Sequence, residues 1–356
     1  MTRSHHVVVI PGDSIGPEIV DSGLRIVEAA REHVGGFELR IDQHSAGAQH
    51  FREFGRNIDP ETLEACRTAD AVIKGPVGHP DVRNADGTEA GLLGGVLRLG
   101  LDLFANIRPV KLWPGVKAPV TWKPGEIDYV IVRENTEGLY ASRGLGVSNN
   151  YAASDILFMT RHGVERVSRA AFELARKRRG APSDGAHRVT CVDKSNVLKS
   201  MAFFKAIFLE IAEEYPDIEH ETIYSDAAAQ ALVLNPSHFD VLVMENFLGD
   251  LLSDLGGGTV GGIGMCPSGN IGADAAVFEP IHGSAPSLGG LDRANPIAQV
   301  LSFAMLLNHL GEADAAAAVE RGVGAALADG SLTIAPDGCP VGGTRAATAA
   351  IIDRIA

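Results

Sequence analysis

Two aspartates four residues apart, Asp250 and Asp254, lie in the segment NFLGDLLSDLGGGTVGGIGMCPSGNIG. Residues i and i+4 of a helix lie on one face, so both carboxylates are expected to point the same way. Such a pair repels unless a cation lies between the two groups, and hard oxygen ligands suit Mg²⁺ or Mn²⁺. Two solvated acids near a helix N-terminus would give the same pattern, because the helix dipole favours them. Asp226, at the start of another predicted helix, could complete a metal site.

The glycines that follow Asp254 predict that the helix ends there in a glycine-rich loop. Three arginines could hold an acidic substrate: Arg98 and Arg108 in RLGLDLFANIRP, and Arg133 in VIVRENTEGLY. Guanidinium groups bind carboxylates through paired hydrogen bonds. Each arginine alone is better explained as a surface salt-bridge residue, but three near a metal indicate a substrate with at least two carboxylates.

The composition limits the possible partners. The chain has 356 residues and a formal net charge of −14, which disfavours binding to nucleic acids and to anionic membranes. Four dispersed cysteines form no C-x-x-C pair, so neither a zinc site nor a disulfide framework is indicated. The N-terminus lacks a long apolar signal core, and no apolar run is long enough to cross a bilayer. A reducing cytoplasm is the expected location.

Apolar bursts alternate with amphipathic stretches, which predicts an α/β fold with a largely parallel sheet. The predicted strands are 6–10, 70–75, 129–134, 187–192 and 240–245, and the later predicted helices are 162–179, 199–214, 294–310 and 313–327. The stretches 112–126 and 141–150 are predicted to be surface segments or an arm that crosses between domains. No G-x-G-x-x-G follows the first strand, so a Rossmann nucleotide site is disfavoured.

The segment NFLGDLLSDL…GGIGMCPSGNIG resembles the signature of the β-decarboxylating dehydrogenases, the family of isopropylmalate, isocitrate, homoisocitrate and tartrate/D-malate dehydrogenases. IPGDSIGPEIV, DLFANIRPVKL, VRENTEGLY, DKSNVL and FEPIHGSAPSLGGLDRANP are similar to its other landmarks, in the family's order. The resemblance implies a bilobed, non-Rossmann α/β fold. One domain would combine residues 1–103 with 257–356 and bind the cofactor. The other, 104–256, would carry the dimer interface, an arm and the catalytic Lys and Asp residues.

The resemblance also implies a homodimer with shared active sites. Asp250 and Asp254 would bind Mg²⁺ or Mn²⁺ from one subunit, and Asp226 and Lys194 would come from the other. Lys194 would be the general base, provided that the site lowers its pKa, and Tyr140 the general acid. Arg98, Arg108 and Arg133 would bind the carboxylates of a malate-like small-molecule substrate.

The loop HGSAP resembles the family's adenosine-ribose and phosphate site. The implied cofactor-binding residues are Glu89, Glu279, His282, Gly283, Ser284, Ala285, Pro286, Ser287 and Asn295. NAD-using relatives usually carry an acid where this chain has Ser287, and NADP-using bacterial relatives often have lysine and tyrosine at Ser287 and Leu288. Neither pattern is present, and Asp292 or Arg293 could compensate in opposite directions. NAD is the expected cofactor, with NADP as the alternative.

The residues before Arg98 differ from every common pattern. Isopropylmalate enzymes place two leucines three and four residues before this arginine, whereas Leu92 and Leu93 lie five and six residues before it. Gly94 and Gly95 lie nearer to Arg98, so either the helix is shifted or glycines open the substrate pocket. We therefore expect an uncharged substituent at C3 of the substrate.

The resemblance predicts oxidative decarboxylation of a 3-substituted (2R)-malate, with 3-isopropylmalate or an analogue as the first choice. Tartrate or D-malate is the alternative, and homoisocitrate and isocitrate are less favoured. ENTEGLY is similar to the isocitrate, homoisocitrate and tartrate enzymes, because isopropylmalate enzymes commonly have glycine in place of Glu137. DLFANIRP is instead similar to the isopropylmalate group. A non-catalytic regulatory subunit would have lost Lys194, Tyr140 or an aspartate, and all are present. A Mg²⁺-dependent phosphotransferase is disfavoured because the sequence has no P-loop.

Overall fold

A computed structural model describes residues 2–85, 87–142 and 144–355. The chain forms two compact units. The first comprises Met1–Asp102, Trp113–Lys117 and Gly261–Ala356, and the second comprises Leu103–Leu112 and Ala118–Val260. Trp113–Lys117 groups with the first unit because the ring of Trp113 packs closely on Gly324, where an added Cβ would lie 3.2 Å from it. The roles assigned to the two domains stay predictions.

The described residues form mixed α/β structure. In chain order the strands are β1 (Arg3–Ile10), β2 (Phe37–Gln43), β3 (Ala71–Lys74), β4 (Ala105–Lys111), β5 (Asp128–Glu134), β6 (Val147–Ser148), β7 (Ala153–Ser154), β8 (Arg188–Asp193), β9 (Glu219–Tyr224), β10 (Val241–Met244), β11 (Pro267–Ile271) and β12 (Ala276–Pro280). The helices are α1 (Gly16–Val34), α2 (Ala48–Phe54), α3 (Pro60–Thr68), α4 (Gly94–Gly100), α5 (Arg161–Lys177), α6 (Lys199–Ala212), α7 (Ser225–Leu234), α8 (Asn246–Thr259), α9 (Ile297–His309), α10 (Ala313–Ala328) and α11 (Thr344–Ile352).

In the first unit the strand order is β2–β1–β3–β12–β11, parallel except for the pair of β11 and β12. The last four residues of β1 are fully buried, as expected for the apolar run of a strand covered on both faces. Val277 pairs with Val72 and Phe278 with Ile73. This register brings Glu279 beside Lys74 at the carboxyl end of β3.

In the second unit the strand order is β4–β5–β10–β8–β9, parallel except for the pair of β4 and β5. Arg133 near the end of β5 is opposite Asn106 on one side and Met244 on the other. Helix α8 begins two residues after Met244. The end of β5 and the start of α8 are therefore neighbours, at the edge where parallel sheets commonly place their sites.

The predicted α/β class is confirmed, but the predicted glycine-rich loop is wrong. Helix α8 continues through Gly256, Gly257 and Gly258 to Thr259. A Cβ on Gly256 would lie 2.6 Å from the hydroxyl of Tyr129, so the missing side chain lets α8 pack closely against Tyr129 of β5. The turn comes later, at Gly261 and Gly262, whose φ angles are 102° and 106°.

Part of the predicted surface segment 141–150 contributes to a hairpin. Strands β6 and β7 pair antiparallel, and Leu145, Val147 and Tyr151 around them are strongly exposed, Tyr151 at 98%. The predicted arm thus presents apolar side chains to solvent. No helix in the described part of the chain has both the length and the apolar character needed to cross a bilayer.

Candidate active site

One face of α8 carries both predicted metal-binding aspartates, as their spacing requires. Arg133 contacts Asp250 through Nη1. Nη1 of Arg108 lies 3.5 Å from Asp250 and 3.7 Å from Asp254. Burial raises the pKa of Asp254, and the charge of Asp250 adds to this although Arg108 opposes it. A divalent cation would offset this unfavourable charge, so the pair fits a site for a hard cation.

Tyr140 reaches the same carboxylate. Its hydroxyl donates a hydrogen bond of 2.9 Å to Oδ2 of Asp250, and the guanidinium carbon of Arg133 lies 5.7 Å from its ring centre. Burial and the Asp250 carboxylate both raise the pKa of Tyr140. The phenol therefore keeps its proton at neutral pH, as a proton donor requires. The structure thus brings together Arg108, Arg133, Tyr140, Asp250 and Asp254.

Lys194 and Asp226 form a separate pair. Nζ of Lys194 donates to Oδ1 of Asp226 at 2.7 Å, and this lowers the pKa of Asp226. Asp226 lies in the first turn of α7, with its side chain 72% exposed. Among the described residues, no group of three acidic, histidine or cysteine side chains could hold a metal ion. Asp226 therefore does not complete the Asp250–Asp254 pair within the chain.

A second cluster forms in the first unit around Glu279. Its carboxylate contacts Nζ of Lys74 at 2.6 Å and Nδ2 of Asn270 at 2.9 Å, and Nη2 of Arg98 lies 3.9 Å away. Burial alone would raise the pKa of Glu279, but the charges of Lys74 and Arg98 outweigh burial and lower it to about 2. Nε of Arg98 is buried and has no hydrogen-bond partner in the described structure. It is a donor that a substrate carboxylate could satisfy.

The HGSAP loop follows β12 directly. Nδ1 of His282 lies 3.0 Å from the carbonyl oxygen of Gly283, so Nδ1 carries the proton and Nε2 is an acceptor. Nε2 is buried and has no partner within the described structure, and burial lowers the pKa of His282. A neutral imidazole with an unsatisfied acceptor fits a ligand that offers an N–H or O–H group, such as an adenosine moiety.

Ser284 fixes the loop. Its Oγ donates to the carbonyl oxygen of Gly78 at 2.5 Å, and its own carbonyl accepts from the amide of Ile15 at 3.2 Å. Ala285 adopts a left-handed φ of 41°, and Pro286 and Ser287 are exposed. No atom outside the neighbouring residues lies within 4 Å of a Cβ on Gly283, so the loop has an open side for a ligand.

Comparison with known proteins identifies the family. A family model described as isocitrate/isopropylmalate dehydrogenase matches residues 6–355. The chain belongs to the isocitrate/isopropylmalate dehydrogenase family. It is 39% identical over 361 residues to the 3-isopropylmalate dehydrogenase of Chlorobaculum tepidum, covering 99% of both proteins. It is 41% identical over 330 residues to the 3-isopropylmalate/3-methylmalate dehydrogenase of Methanocaldococcus jannaschii, covering 92% of this chain and 93% of the relative.

A solved structure agrees with this family assignment. The isocitrate dehydrogenase from Methylococcus capsulatus matches with a TM-score of 0.86 and 38% identity, covering 99% of each chain. The predicted family is confirmed, and with it the prediction that the chain is a decarboxylating dehydrogenase. The isocitrate/isopropylmalate dehydrogenase fold thus accounts for the missing glycine-rich nucleotide turn after β1.

Glu137, which differs from the usual isopropylmalate enzyme sequence, has a structural role. The carboxylate of Glu137 accepts hydrogen bonds from the backbone amide of Thr160, at 2.7 Å, and from the hydroxyl of Thr160. Glu137 therefore holds the residue that caps the start of α5. A Cβ on Gly163 would lie 2.4 Å from Glu137. Glu137 is therefore used within the fold. It does not by itself favour tartrate or D-malate as the substrate.

Asp292 and Arg293, which could have compensated for the missing cofactor pattern at Ser287 and Leu288, both form contacts with other side chains. Asp292 accepts from the amide of Arg345 at 3.0 Å and contacts its Nε at 3.0 Å. Nη2 of Arg293 donates to Asp337 at 2.8 Å. Arg293 remains exposed in this surface ion pair, whereas Asp292 is only partly exposed.

The remaining predicted residues lie around α4 and near the loop. Leu92 and Leu93 precede α4, and Leu93 is fully buried in the core. A Cβ on Gly95 would meet no atom within 4 Å, and one on Gly94 only Arg98, at 3.9 Å. The glycines therefore leave open space beside Arg98.

Glu89 lies near a residue that holds the loop, whereas Asn295 lies at the start of α9. Oε1 of Glu89 lies 2.9 Å from the position of a Cβ on Gly78, the residue that accepts from Ser284. Oδ1 of Asn295 accepts from the amide of Ile297 at 3.1 Å at the start of α9. Their predicted contact with a cofactor stays a prediction.

The side chains that hold the predicted site residues in place were not predicted from the sequence. Lys74 and Asn270 hold Glu279, while Asn106 and Ser253 contact Arg108. Asn246 contacts Arg133. Two signals were available. Lys74 ends an otherwise apolar strand, and Asn246 lies four residues before Asp250, on the same helix face.

Proposed function

We propose that this protein oxidises and decarboxylates 3-isopropylmalate or a closely related 3-substituted (2R)-malate, with NAD as the hydride acceptor and Mg²⁺ or Mn²⁺ as the metal. The observation that carries the proposal is the convergence of two arginines and one tyrosine on the carboxylate of Asp250. A dicarboxylate, a divalent cation and a proton donor are what this reaction requires in one place.

The metal would be held by Asp250 and Asp254. When bound, Mg²⁺ supplies Lewis-acid stabilisation of the negative charge that develops on the C2 oxygen of the substrate. Arg108 and Arg133, both buried, would bind substrate carboxylates. Each arginine would turn part of its contact from Asp250 to a substrate carboxylate, and the positive charge of the metal would take its place at Asp250.

Lys194 and Tyr140 would transfer the two protons. Lys194, as the neutral amine, would accept the hydroxyl proton while the hydride leaves C2 for NAD, which gives a 2-keto acid. The carboxylate β to the new carbonyl then leaves as CO₂, and its bonding electrons form the enolate. Tyr140 donates its proton to C3, and water or a neighbouring acid returns a proton to the phenolate. Its raised pKa keeps Tyr140 protonated until that step.

The first unit would bind the cofactor through Glu279 and the HGSAP loop. The buried Nε2 of His282 would accept a hydrogen bond from the adenosine. Ser287 carries neither a positive charge to bind a 2′-phosphate nor a negative charge to repel one, so we propose NAD as the main cofactor and NADP as a measurable alternative. An apolar C3 substituent would lie in the open space at Gly94 and Gly95, of which Gly94 is the one near Arg98.

We further propose a homodimer in which Asp226 and Lys194 complete the partner's site. The support is that Asp226 is exposed and paired with Lys194 instead of joining Asp250. Exposed apolar side chains on the β6–β7 hairpin, and Leu251 on α8 at 53% exposure, provide surface that association would bury.

The function is tested by NADH formation at 340 nm with Mg²⁺, NAD and 3-isopropylmalate. Parallel reactions use 3-methylmalate, D-malate, tartrate and isocitrate, each with NAD and NADP. We expect the highest kcat/KM with 3-isopropylmalate and NAD, and its loss in Asp250→Asn. A higher kcat/KM with D-malate or tartrate would contradict the proposed substrate.

Shared sites are tested by mixing two inactive variants, Asp226→Asn and Asp250→Asn. If subunits exchange at random, half of the dimers are mixed, and each mixed dimer has one intact site. We therefore expect about a quarter of the wild-type activity to return. If the mixture stays inactive although mass spectrometry detects mixed dimers, each site is built from one chain.

A further inference from the structure

Asn246 lies where three parts of the second unit meet. It is the first residue of α8, one turn before Asp250 on the same face, and is only 2% exposed. Its amide oxygen accepts from Nε of Arg133 at 3.0 Å and from Nη2 at 2.7 Å. These two hydrogen bonds direct Nη1 of Arg133 towards Asp250.

The other half of the amide holds the segment that leads to Tyr140. Nδ2 of Asn246 donates to the carbonyl oxygen of Glu137 at 3.0 Å. The preceding residue, Glu245, accepts from the amide of Leu139 at 3.1 Å. Between them, a Cβ on Gly138 would lie 2.2 Å from Oε1 of Glu245, so this segment fits tightly on the start of α8.

We propose that Asn246 is a positioning residue that sets Arg133 and Tyr140 together against Asp250. The inference rests on the proposed function for the roles of these three groups, but its geometry does not depend on the substrate. Only an amide serves both sides, because its oxygen accepts from the guanidinium and its nitrogen donates to a carbonyl. An aspartate would keep the first contact and lose the second.

The arrangement also determines how Arg133 meets a substrate. Because Nε and Nη2 are directed to Asn246, the fork that these atoms form is turned away from Asp250. A substrate carboxylate near Asp250 would meet the Nη1 end of the guanidinium. The orientation of that carboxylate would then depend on Asn246, a residue that does not contact it.

Two variants separate the roles. Asn246→Ser removes both contacts, and we expect kcat/KM to fall on the order of 100-fold. Asn246→Asp keeps an acceptor for Arg133 but loses the donor to Glu137, so we expect kcat to fall more than KM rises. Wild-type kcat in Asn246→Asp would overturn the link to Tyr140.

Double-mutant cycles test whether Asn246 acts through the two side chains. When Asn246→Ser is combined with Arg133→Lys or with Tyr140→Phe, kcat/KM should fall by less than the product of the two single-variant reductions. The control is Thr190→Val, which removes the hydroxyl of another fully buried residue of this unit, 2.7 Å from Oε1 of Glu221. The reduction in kcat/KM caused by Thr190→Val should multiply with the reduction caused by Arg133→Lys and with that caused by Tyr140→Phe. Multiplicative effects for Asn246→Ser as well would overturn the proposal.

A crystal structure of Asn246→Asp or Asn246→Ser tests the geometry without any activity measurement. We expect the guanidinium of Arg133 to move in the Ser variant and residues 137–140 to move in both. Unchanged positions would overturn the inference even if the wild-type protein used a different substrate. Conversely, the movements would support it even if 3-isopropylmalate gave no turnover.

Discussion

The hydroxyl of Tyr140 donates to Asp250 across 2.9 Å, to the same carboxylate that Arg133 contacts. Proton donor and proposed metal ligand are thus joined before any ligand binds. Removing the hydroxyl with Tyr140→Phe should lower kcat by about 10²–10⁴-fold, because C3 then lacks its general acid. The KM for the hydroxy acid should change little.

This prediction is checked by steady-state kinetics, with Tyr151→Phe as the control. Tyr151 is 98% exposed on the hairpin segment, so its variant should retain kcat if the hydroxyl serves no catalytic step. A Tyr140→Phe enzyme that loses only affinity for the substrate would assign Tyr140 to binding.

Metal binding should stabilise the protein through Asp250 and Asp254. At a Mn²⁺ concentration of 100 times Kd, the free energy of unfolding should rise by about 2.7 kcal/mol, because the ion binds only the folded state. Asp250→Asn should abolish this rise, whereas the exposed Asp353→Asn should retain it. The measurement is urea unfolding with Mn²⁺ or with a chelator. An unchanged response in Asp250→Asn would exclude it as a ligand.

The Lys74–Glu279 pair should make stability depend on acid pH. The pKa of Glu279 is about 2, below its ordinary 4.5. The stabilisation is therefore present above about pH 4.5 and is lost as pH falls towards 2. Lys74→Met removes the compensating charge and should cost about 3 kcal/mol at pH 7, since it leaves a buried carboxylate with weaker partners.

Urea unfolding at pH 7 and at pH 3 measures both effects. The double variant Lys74→Met/Glu279→Gln should recover part of the loss at pH 7, because no buried charge is then left without Lys74. A double variant as unstable as Lys74→Met would show that lost packing, and not the charge of Glu279, causes the destabilisation.

The open space at Gly95 predicts a change in substrate preference without loss of stability. Nothing lies within 4 Å of a Cβ there, and leucine favours a helix over glycine by roughly 0.5–1 kcal/mol. Gly95→Leu should therefore fold at least as well as the wild type. If this face lines the substituent pocket, kcat/KM should fall more for substrates larger than 3-isopropylmalate than for 3-methylmalate. Equal effects on all substrates would place Gly95 outside the pocket.

Sequence predicted the charged groups of the site well, because their spacing and order carry the chemistry. The i, i+4 pair on α8 is one example, and Arg133 at the end of β5 is another. It failed where packing overrides local preference. Three glycines in succession normally weaken a helix, yet α8 includes them because Gly256 lets the helix approach Tyr129.

The supporting side chains were harder to predict for a related reason. Lys74 and Glu279 are about two hundred residues apart in the chain, and only the register of β3 against β12 brings them together. Asn246 has no charge, and an asparagine does not by itself suggest a catalytic role. Its importance follows from what it contacts, which requires the folded chain.

The stem of Arg133 lies across α8 at Gly249, where a Cβ would be 2.5 Å from its Cγ. A larger residue at 249 would push the guanidinium aside while leaving all the charged groups in the sequence. Relatives that retain every aspartate, arginine and tyrosine but replace this glycine are therefore expected to lack the Arg133 geometry described above. The position that best reports whether this site can form is thus one that in this chain has no side chain at all.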